Sequence, residues 1–380
     1  MKRFFYSLFS ISALLLALAS CQDDEQILNP PPTVTEGHPI LPDIPFNYAN
    51  PDLPDYFFHP GIQSADNMPP DNPVTDHGAT LGRVLFYDVN LSLNRTISCA
   101  SCHRQENGFS DPDQFSIGFL GGLTPRHSMS LANARYYPGG RFFWDERAAS
   151  LEEQELHPIQ DKIEMGMTLN LALARVDSLP YYAELFELAF GTREVTPDRI
   201  SRALAQFVRS MVSFRSPYDK GRALVDIPAE PFPTFTPAQN RGKAIFFGPR
   251  GGCAPCHNTD LMIAFAPVNN GLDIFTTDPG LAAVTGRKTD EGLFKVPSLR
   301  NIAIRPPYMH DGRFSTLEQV IEHYSSGIQN HPNLSSPLRT AGGIVRQANF
   351  TDAEKADLLA FLHTLTDEEF VGEEKFGKPF

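Results

Sequence analysis

The apolar and polar positions along the chain predict the same short helices twice. Each half opens with an amphipathic segment that ends in aromatic residues, at residues 81–87 and again at residues 241–247. Each half also closes with a segment whose apolar residues recur at helical spacing, and Thr196 and Thr351 precede these two segments as N-caps. Strand signals are weak, and the loops are long and rich in Pro and Gly. The pattern therefore predicts a mainly α-helical protein that is built from two tandem units.

An apolar run near the N-terminus predicts export. The run spans residues 4–19, follows Lys2 and Arg3, and is too short and too close to the terminus for a good membrane-spanning helix. Small residues then precede Cys21, which resembles the cleavage site of bacterial lipoproteins. We expect residues 1–20 to be a lipoprotein signal peptide and Cys21 to carry a lipid, so that the protein lies in the cell envelope, facing the periplasm or the cell surface. An ordinary secretory signal with an incidental Cys is the alternative.

Pro-rich stretches predict the limits of the domains. Residues 21–62 are rich in Pro, Asp and Asn, and we expect them to form an extended tether. A second Pro-rich stretch, at residues 227–237, predicts the boundary between the halves. We therefore expect an N-terminal domain at residues 63–228 and a C-terminal domain at residues 229–380.

The charge of the chain restricts its partners. The 380 residues carry a formal net charge of -13, which argues against nucleic acid and against anionic membrane surfaces as partners. We therefore expect membrane contact through the lipid anchor only. An acidic surface is compatible with a basic protein partner, although it is first of all typical of a soluble protein.

Apart from Cys21, the Cys residues fall into two pairs of the same form. In each pair two residues separate the Cys residues, and a His follows at once. Two thiols at this spacing can form thioethers to the two vinyl groups of one haem, and the adjacent His can bind the iron. Zinc sites rarely place a His directly after both pairs, and a redox disulfide would explain neither His. The sequence therefore predicts two covalently bound haem c groups in two cytochrome c-like domains. The predicted attachment residues and proximal iron ligands are Cys99, Cys102 and His103 for the first haem, and Cys253, Cys256 and His257 for the second.

Further short motifs accompany the Cys pairs, at residues 85–88, 143–145, 163–166, 296–301 and 308–314. With them, the chain from about residue 70 to its end resembles the bacterial di-haem cytochrome c peroxidases and their MauG-like relatives. The resemblance implies that peroxide reacts at the N-terminal haem and that the C-terminal haem receives and stores electrons. It also implies that Trp144, the single Trp of the chain, lies between the haems and relays electrons. Plain core packing is the alternative for Trp144.

Peroxide cleavage needs a group that moves a proton from one oxygen to the other, which a carboxylate can do as a general acid and base. The resemblance assigns this role to Glu164 and places Gln154 beside it. Gln154 lies ten residues before Glu164, and Trp144 lies ten residues before Gln154, a spacing that supports the alignment. The helix around Gln154 also carries three glutamates, so an exposed side chain is the alternative for this residue.

The N-terminal haem site departs from the usual peroxidase pattern. Members of the family that need prior reduction carry a displaceable His there, directly after a Ser-Ile-Gly-like run. In this chain the run at residues 116–118 is followed by Phe119. Phenylalanine cannot bind iron, so we expect an open site that is ready without reductive activation. His127 lies nearby, where the family often has Asn beside a bound calcium ion, and we interpret it as structural rather than as a distal ligand.

The C-terminal haem site departs as well. The family's peroxidases bind this iron with a Met fourteen residues after the His of a His-Asp-Gly motif, and counting from His310 reaches Tyr324. Tyr324 matches the MauG-like branch. A tyrosinate oxygen favours ferric iron and lowers the reduction potential relative to Met. Met309, which precedes His310, is the competing ligand. We predict that Tyr324 binds the second iron.

These features predict a di-haem c-type peroxidase that reduces hydrogen peroxide with electrons from a small redox protein, such as a cytochrome c or a cupredoxin. A MauG-like oxidase acting on a protein or an organic substrate is the second interpretation, supported by Phe119 and Tyr324. A non-catalytic electron-transfer cytochrome is the third, and Glu164 argues against it. The resemblance is also compatible with a homodimer and with one calcium ion between the domains. That ion would be held by backbone carbonyls near Arg305 and Pro307.

Overall fold

The computed structural model describes Met1 and residues 37–380, so the predicted signal peptide and Cys21 lie outside the described residues. Within residues 37–380, β-structure is limited to isolated bridges, and no helix is both long and apolar enough to span a bilayer. The predicted mainly α-helical class is confirmed. Its helices are α1 (Pro60–Gln63), α2 (Asp76–Tyr87), α3 (Cys99–Cys102), α4 (Leu151–Gln160), α5 (Leu169–Ser178), α6 (Pro180–Phe190), α7 (Pro197–Ser210), α8 (Pro217–Arg222), α9 (Pro237–Phe247), α10 (Ala282–Thr285), α11 (Leu317–Glu322), α12 (Asp352–His363) and α13 (Glu368–Gly372).

Four helices that frame the structure begin at threonine caps. The side chains of Thr75 and Thr196 accept hydrogen bonds from backbone N–H groups in the first turns of α2 and α7. Thr236 and Thr351 take part in reciprocal capping boxes at the start of α9 and α12. Local sequence therefore fixes where these helices begin.

The two halves use the same helix crossing. α2 packs on α7 in the first half, and α9 packs on α12 in the second. A Cβ added at Gly82 would lie 2.0 Å from the carbonyl oxygen of Ala203, and one added at Gly242 would lie 1.9 Å from that of Asp357. Only glycine permits backbones to approach this closely. The repeat seen in the sequence is therefore a repeat of helix packing.

Each crossing builds an apolar core. Leu81 and Phe207 are completely buried in the first core, and Phe361 is completely buried in the second. The C-terminal segment then returns to the first half. Phe370 and Phe376 are buried in the first core, and their ring centroids lie 5.5 and 6.2 Å from that of Phe109. The predicted boundary at residues 228 and 229 stays a prediction.

The segment before α2 differs from the predicted tether. Tyr48, Tyr56 and Phe57 are buried, and the backbone N–H of Tyr48 donates to Asp76 Oδ1 at 2.8 Å. The extended tether is therefore wrong for residues 48–62, because these aromatic side chains bury apolar surface against the body of the protein.

Candidate haem and peroxide site

The first Cys pair lies on one helical turn. α3 begins at Cys99 and ends at Cys102, with Ser98 as its N-cap, and His103 follows directly. The Nδ1 atom of His103 lies 3.0 Å from the carbonyl oxygen of Phe109. An Nδ1–H that donates to this carbonyl leaves Nε2 unprotonated and able to bind a metal. Burial lowers the pKa of His103 and so favours the neutral ring that binds iron.

The second Cys pair repeats this arrangement. The Nδ1 atom of His257 lies 3.2 Å from the carbonyl oxygen of Met262, and burial lowers the pKa of His257 to about 4. Phe109 and Met262 both have positive φ angles, 60° and 54°. The loop after each of these His residues therefore turns back in the same way to orient the ring.

Each Cys pair opens on its own cavity. The N-terminal cavity, beside Cys99, Cys102 and His103, has an empty volume of about 2260 Å³, and the C-terminal cavity, beside the second pair, has about 1590 Å³, both with their open mouths included. The four thiols of residues 37–380 are free. That part of the chain holds no cluster of three or more His, Cys, Asp or Glu residues that could bind a metal ion. The geometry therefore fits two separate haems rather than one zinc ion or a disulfide.

Glu164 and Gln154 both line the N-terminal cavity. The backbone N–H of Glu164 donates to Asp161 Oδ1 at 3.0 Å, and its carbonyl accepts from the N–H of Phe119 at 3.0 Å. Burial and then repulsion from Asp161 raise the pKa of Glu164 to about 7, against an opposing effect of Arg147. A carboxyl group with a pKa near the working pH can both take up and release a proton.

Trp144 lines both cavities. Its Nε1 donates to the carbonyl oxygen of His127 at 2.8 Å, and its own carbonyl accepts from the N–H of Lys295 at 2.9 Å. The ring of His310 lies edge-on to the indole, with 6.4 Å between centroids. These contacts hold Trp144 between residues of the two halves, and its role as an electron relay stays a prediction.

Phe119 and His127 have clear structural partners. A Cβ added at Gly166 would lie 2.3 Å from Cζ of Phe119, so the aromatic ring packs directly on this glycine. The Nε2 atom of His127 lies 3.1 Å from Ser110 Oγ, and Nδ1 lies 3.2 Å from the carbonyl oxygen of Asp113. Because both ring nitrogens are used within the protein, the geometry agrees with a structural His127.

The two candidate ligands of the second iron lie together on the C-terminal cavity. The Nδ2 atom of Asn270 lies 3.3 Å from Tyr324 Oη and 3.4 Å from Met309 Sδ. Tyr324 belongs to a π-helical turn at His323–Gly327, a local geometry that is frequent at functional sites. Burial raises the pKa of Tyr324 to about 12, although the hydrogen bond from Asn270 opposes this. Tyr324 as the iron ligand stays a prediction.

Comparisons with known proteins agree with this geometry. The profile of the di-haem cytochrome c peroxidase family matches residues 76–223. The chain is 36% identical over 305 residues to the methylamine utilization protein MauG of Methylorubrum extorquens. The matched region covers 79% of this chain and 81% of that protein. The chain belongs to the di-haem cytochrome c peroxidase and MauG family.

Other members of the family are similar over the same length. The cytochrome c551 peroxidase of Nitrosomonas europaea is 34% identical over 326 residues, 82% of this chain and 88% of that peroxidase. A crystal structure of a MauG-like protein associated with microbial copper homeostasis has a TM-score of 0.73 and 35% identity, and covers 87% of this chain and 99% of that protein. The chain is therefore a peroxidase-type oxidoreductase of the di-haem family, which carries two haem c groups.

The predicted calcium position of this di-haem peroxidase fits a metal ion poorly. Arg305 is buried, and its Nε has no hydrogen-bond partner. The positive charge of Arg305 also acts on its surroundings, since burial and then this charge lower the pKa of the nearby His127. A buried guanidinium repels a second cation beside it. Calcium stays a prediction.

Two buried titratable groups beside the haem cavities were not expected from the sequence. Glu155 lies on α4 and lines the N-terminal cavity. Lys295 lines both cavities, and its Nζ donates to the carbonyl oxygen of Arg141 at 3.0 Å and lies 3.9 and 4.1 Å from the ring centroids of Tyr137 and Phe142. The helical register of Glu155 indicates the buried face of a helix, but its neighbouring glutamates indicate a solvated face. Lys295 lies outside the regular helices and has no such signal.

The raised pKa of Glu164 predicts the pH dependence of peroxide cleavage. Because the carboxylate form must accept the first proton, kcat/KM for peroxide should rise as the pH rises through about 7 and fall below it. Steady-state rates of the di-haem protein between about pH 5.5 and about pH 8.5 measure this. A flat profile over that range would remove the titration of Glu164 from the rate.

Proposed function

We propose that this di-haem peroxidase reduces hydrogen peroxide at the N-terminal cavity with electrons that enter at the C-terminal haem. The observation that carries the proposal is the placing of Glu164 on the same cavity as His103, together with Trp144 on both cavities. An open metal site next to a proton-transferring carboxyl suits peroxide cleavage. An electron carrier has no use for such a carboxyl group.

The haems, when bound, supply the electrons that reduce the O–O bond. The residues of the chain supply the proton movement. The carboxylate of Glu164 takes up a proton from one peroxide oxygen and returns it to the other, so that this oxygen leaves as water. The amide of Gln154 is placed to orient the peroxide by hydrogen bonds. Trp144 provides the aromatic group through which electrons pass between the two halves.

The electron source is a small donor protein, for which we propose a reduced cytochrome c or cupredoxin. The net charge of -13 favours a basic donor, because opposite charges increase the rate of encounter. In the test, purified di-haem protein is mixed with a reduced small cytochrome c, and peroxide is then added. We expect two donor molecules to be oxidised for each peroxide consumed. Donor oxidation that does not depend on peroxide would support the electron-transfer cytochrome instead.

A second candidate function is the oxidation of a protein or an organic substrate, as in the MauG-like branch. Phe119 in place of a displaceable His, and Tyr324 on the C-terminal cavity, favour it. So does the 35% identity to the MauG-like protein associated with copper homeostasis. The same assay separates the two functions when an oxidisable phenol replaces the donor protein. Faster oxidation of the phenol than of the donor would favour the second candidate.

We also propose that the lipid on Cys21 anchors the protein in the cell envelope. Support comes from the apolar run and the small residues before Cys21. Cys21→Ala should move the haem protein from the membrane fraction to the soluble fraction without changing its peroxide turnover. An unchanged distribution between the two fractions would contradict lipid attachment at Cys21.

A further inference from the structure

Glu155 is a buried carboxyl group that the proposed mechanism does not use. It lies on α4 four residues after Leu151 and four before Ile159, and the three residues are 7%, 1% and 1% exposed respectively. The helix therefore turns Glu155 to its apolar face. Its Oε1 atom is buried and has no hydrogen-bond partner. An unpaired carboxylate is unfavourable in such surroundings, and burial therefore favours the protonated acid.

Glu155 faces the same cavity as Glu164. Glu155 also lies close to Cys99, a predicted attachment residue of the first haem. Burial, and then the interaction with Glu155, raise the pKa of the Cys99 thiol. Glu155 and Glu164 are therefore two carboxyl groups of one cavity that have different surroundings. Glu164 lies in a loop, where its backbone is hydrogen-bonded to Asp161 and Phe119. Glu155 lies on the buried apolar face of α4.

The charged groups around Glu155 do not provide a counter-ion. Arg209 on α7 is the cation that faces it, but Arg209 Nη2 already donates to Glu152 Oε2 at 3.0 Å. Glu152, on the same helix as Glu155, adds repulsion. Burial and then Glu152 raise the pKa of Glu155 to about 8, against the opposing effect of Arg209. Glu155 therefore keeps its proton at neutral pH.

Peroxide reduction requires protons that Glu164 does not supply. The reaction H2O2 + 2 e⁻ + 2 H⁺ → 2 H2O consumes two protons, whereas Glu164 only moves a proton from one peroxide oxygen to the other. The two consumed protons must enter the N-terminal cavity with the electrons. A carboxylic acid that is protonated at neutral pH and faces this cavity is placed to deliver them one at a time.

We propose that Glu155 is the proton donor for the reductive half of peroxide turnover. This inference rests on the proposed peroxidase function. The carboxylic acid of Glu155 releases its proton through cavity water to the peroxide oxygen that remains after the first water has left. The resulting carboxylate is protonated again from solvent before the next electron arrives. After two electrons and two protons, the second oxygen leaves as water, and Glu155 is returned to its acid form.

The test compares Glu155→Gln with Glu153→Gln, in the di-haem protein. Gln has the shape of Glu but cannot donate the proton as an acid, and Glu153 is an exposed glutamate on the same helix that serves as the control. For Glu155→Gln we expect kcat with the donor protein to fall about tenfold or more, while kcat/KM for peroxide stays within about twofold of the wild-type value. Glu155→Asp should restore part of kcat.

An infrared spectrum gives a readout that does not depend on turnover. At neutral pH the wild-type protein and Glu153→Gln should show a carbonyl stretch of a protonated carboxylic acid that is lost in Glu155→Gln and kept in Glu164→Gln. Absence of that band from the wild-type protein would overturn the inference. So would an unchanged kcat in Glu155→Gln, or an equal loss of kcat and kcat/KM, which indicates a structural role. A wild-type protein that does not turn over peroxide would instead overturn the proposed function on which the inference rests.

Discussion

Glu164→Gln should lower kcat/KM for hydrogen peroxide by about 10²–10⁴-fold, the usual contribution of general acid and base catalysis. The amide has the shape of the carboxyl group but cannot accept the proton of the peroxide. Glu164 lines the N-terminal cavity without an ion-pair partner in the described structure. The substitution therefore removes proton transfer and leaves both haem attachments intact. Stopped-flow measurement of peroxide consumption, with the haem content determined in parallel, gives the result.

The matched control for this substitution is Glu187→Gln. Glu187 is half-exposed on α6 and pairs with Arg193 on the surface, away from both cavities. Its replacement should change peroxide consumption by less than about twofold. If Glu164→Gln lowered kcat/KM for hydrogen peroxide by less than about threefold, Glu164 would have no part in the proton transfer.

Tyr324→Met should raise the reduction potential of the C-terminal haem by on the order of 100 mV or more, within the range of about 0.8 V that axial ligands set. Tyrosinate is anionic and stabilises ferric iron, whereas a thioether is neutral and favours ferrous iron. The ferric variant should also gain a sulfur-to-iron charge-transfer band, which we expect to be absent from the wild-type protein. Redox titration and the visible spectrum measure both effects.

Met309→Leu is the control for the ligand, because Met309 Sδ and Tyr324 Oη lie near the same Asn270 amide. This variant should keep the wild-type spectrum and potential. A sulfur-to-iron band in the wild-type protein that disappears in Met309→Leu would identify Met309 as the ligand. In that case Phe119 would be the one remaining site residue that favours the MauG-like function.

The paired haem motifs and the helices capped by Thr196 and Thr351 could be predicted from sequence because both are local. Two Cys residues and a His within five positions define an attachment site by themselves, as Cys99 and His103 illustrate. Threonine caps act within one helical turn. The repeat of the motifs in two halves then implied two cavities, which the structure contains.

Glu155 could not be predicted correctly because two sequence rules conflict there. Its position between Leu151 and Ile159 indicates the buried face of a helix, whereas a glutamate among other glutamates indicates a solvated face. Whether Glu155 is buried depends on the cavity beside α4, and residues far along the chain form part of that cavity. The burial of the aromatic residues before α2, such as Tyr48 and Phe57, could not be predicted for a related reason. Their pockets are formed by distant segments, and no local period marks them.

The return of the C-terminal segment has a consequence for how the two halves could be separated. The carbonyl of Phe109 orients the ring of His103, and the ring of Phe109 packs on Phe370 and Phe376. A fragment ending at residue 228 would lack both of these partners, and losing a buried Phe typically costs about 3–5 kcal/mol. Such a loss would consume most of the stability of an ordinary domain. The two halves are thus duplicated in sequence yet not interchangeable modules, because the first half could not have been exchanged between proteins without the C-terminal end of the second.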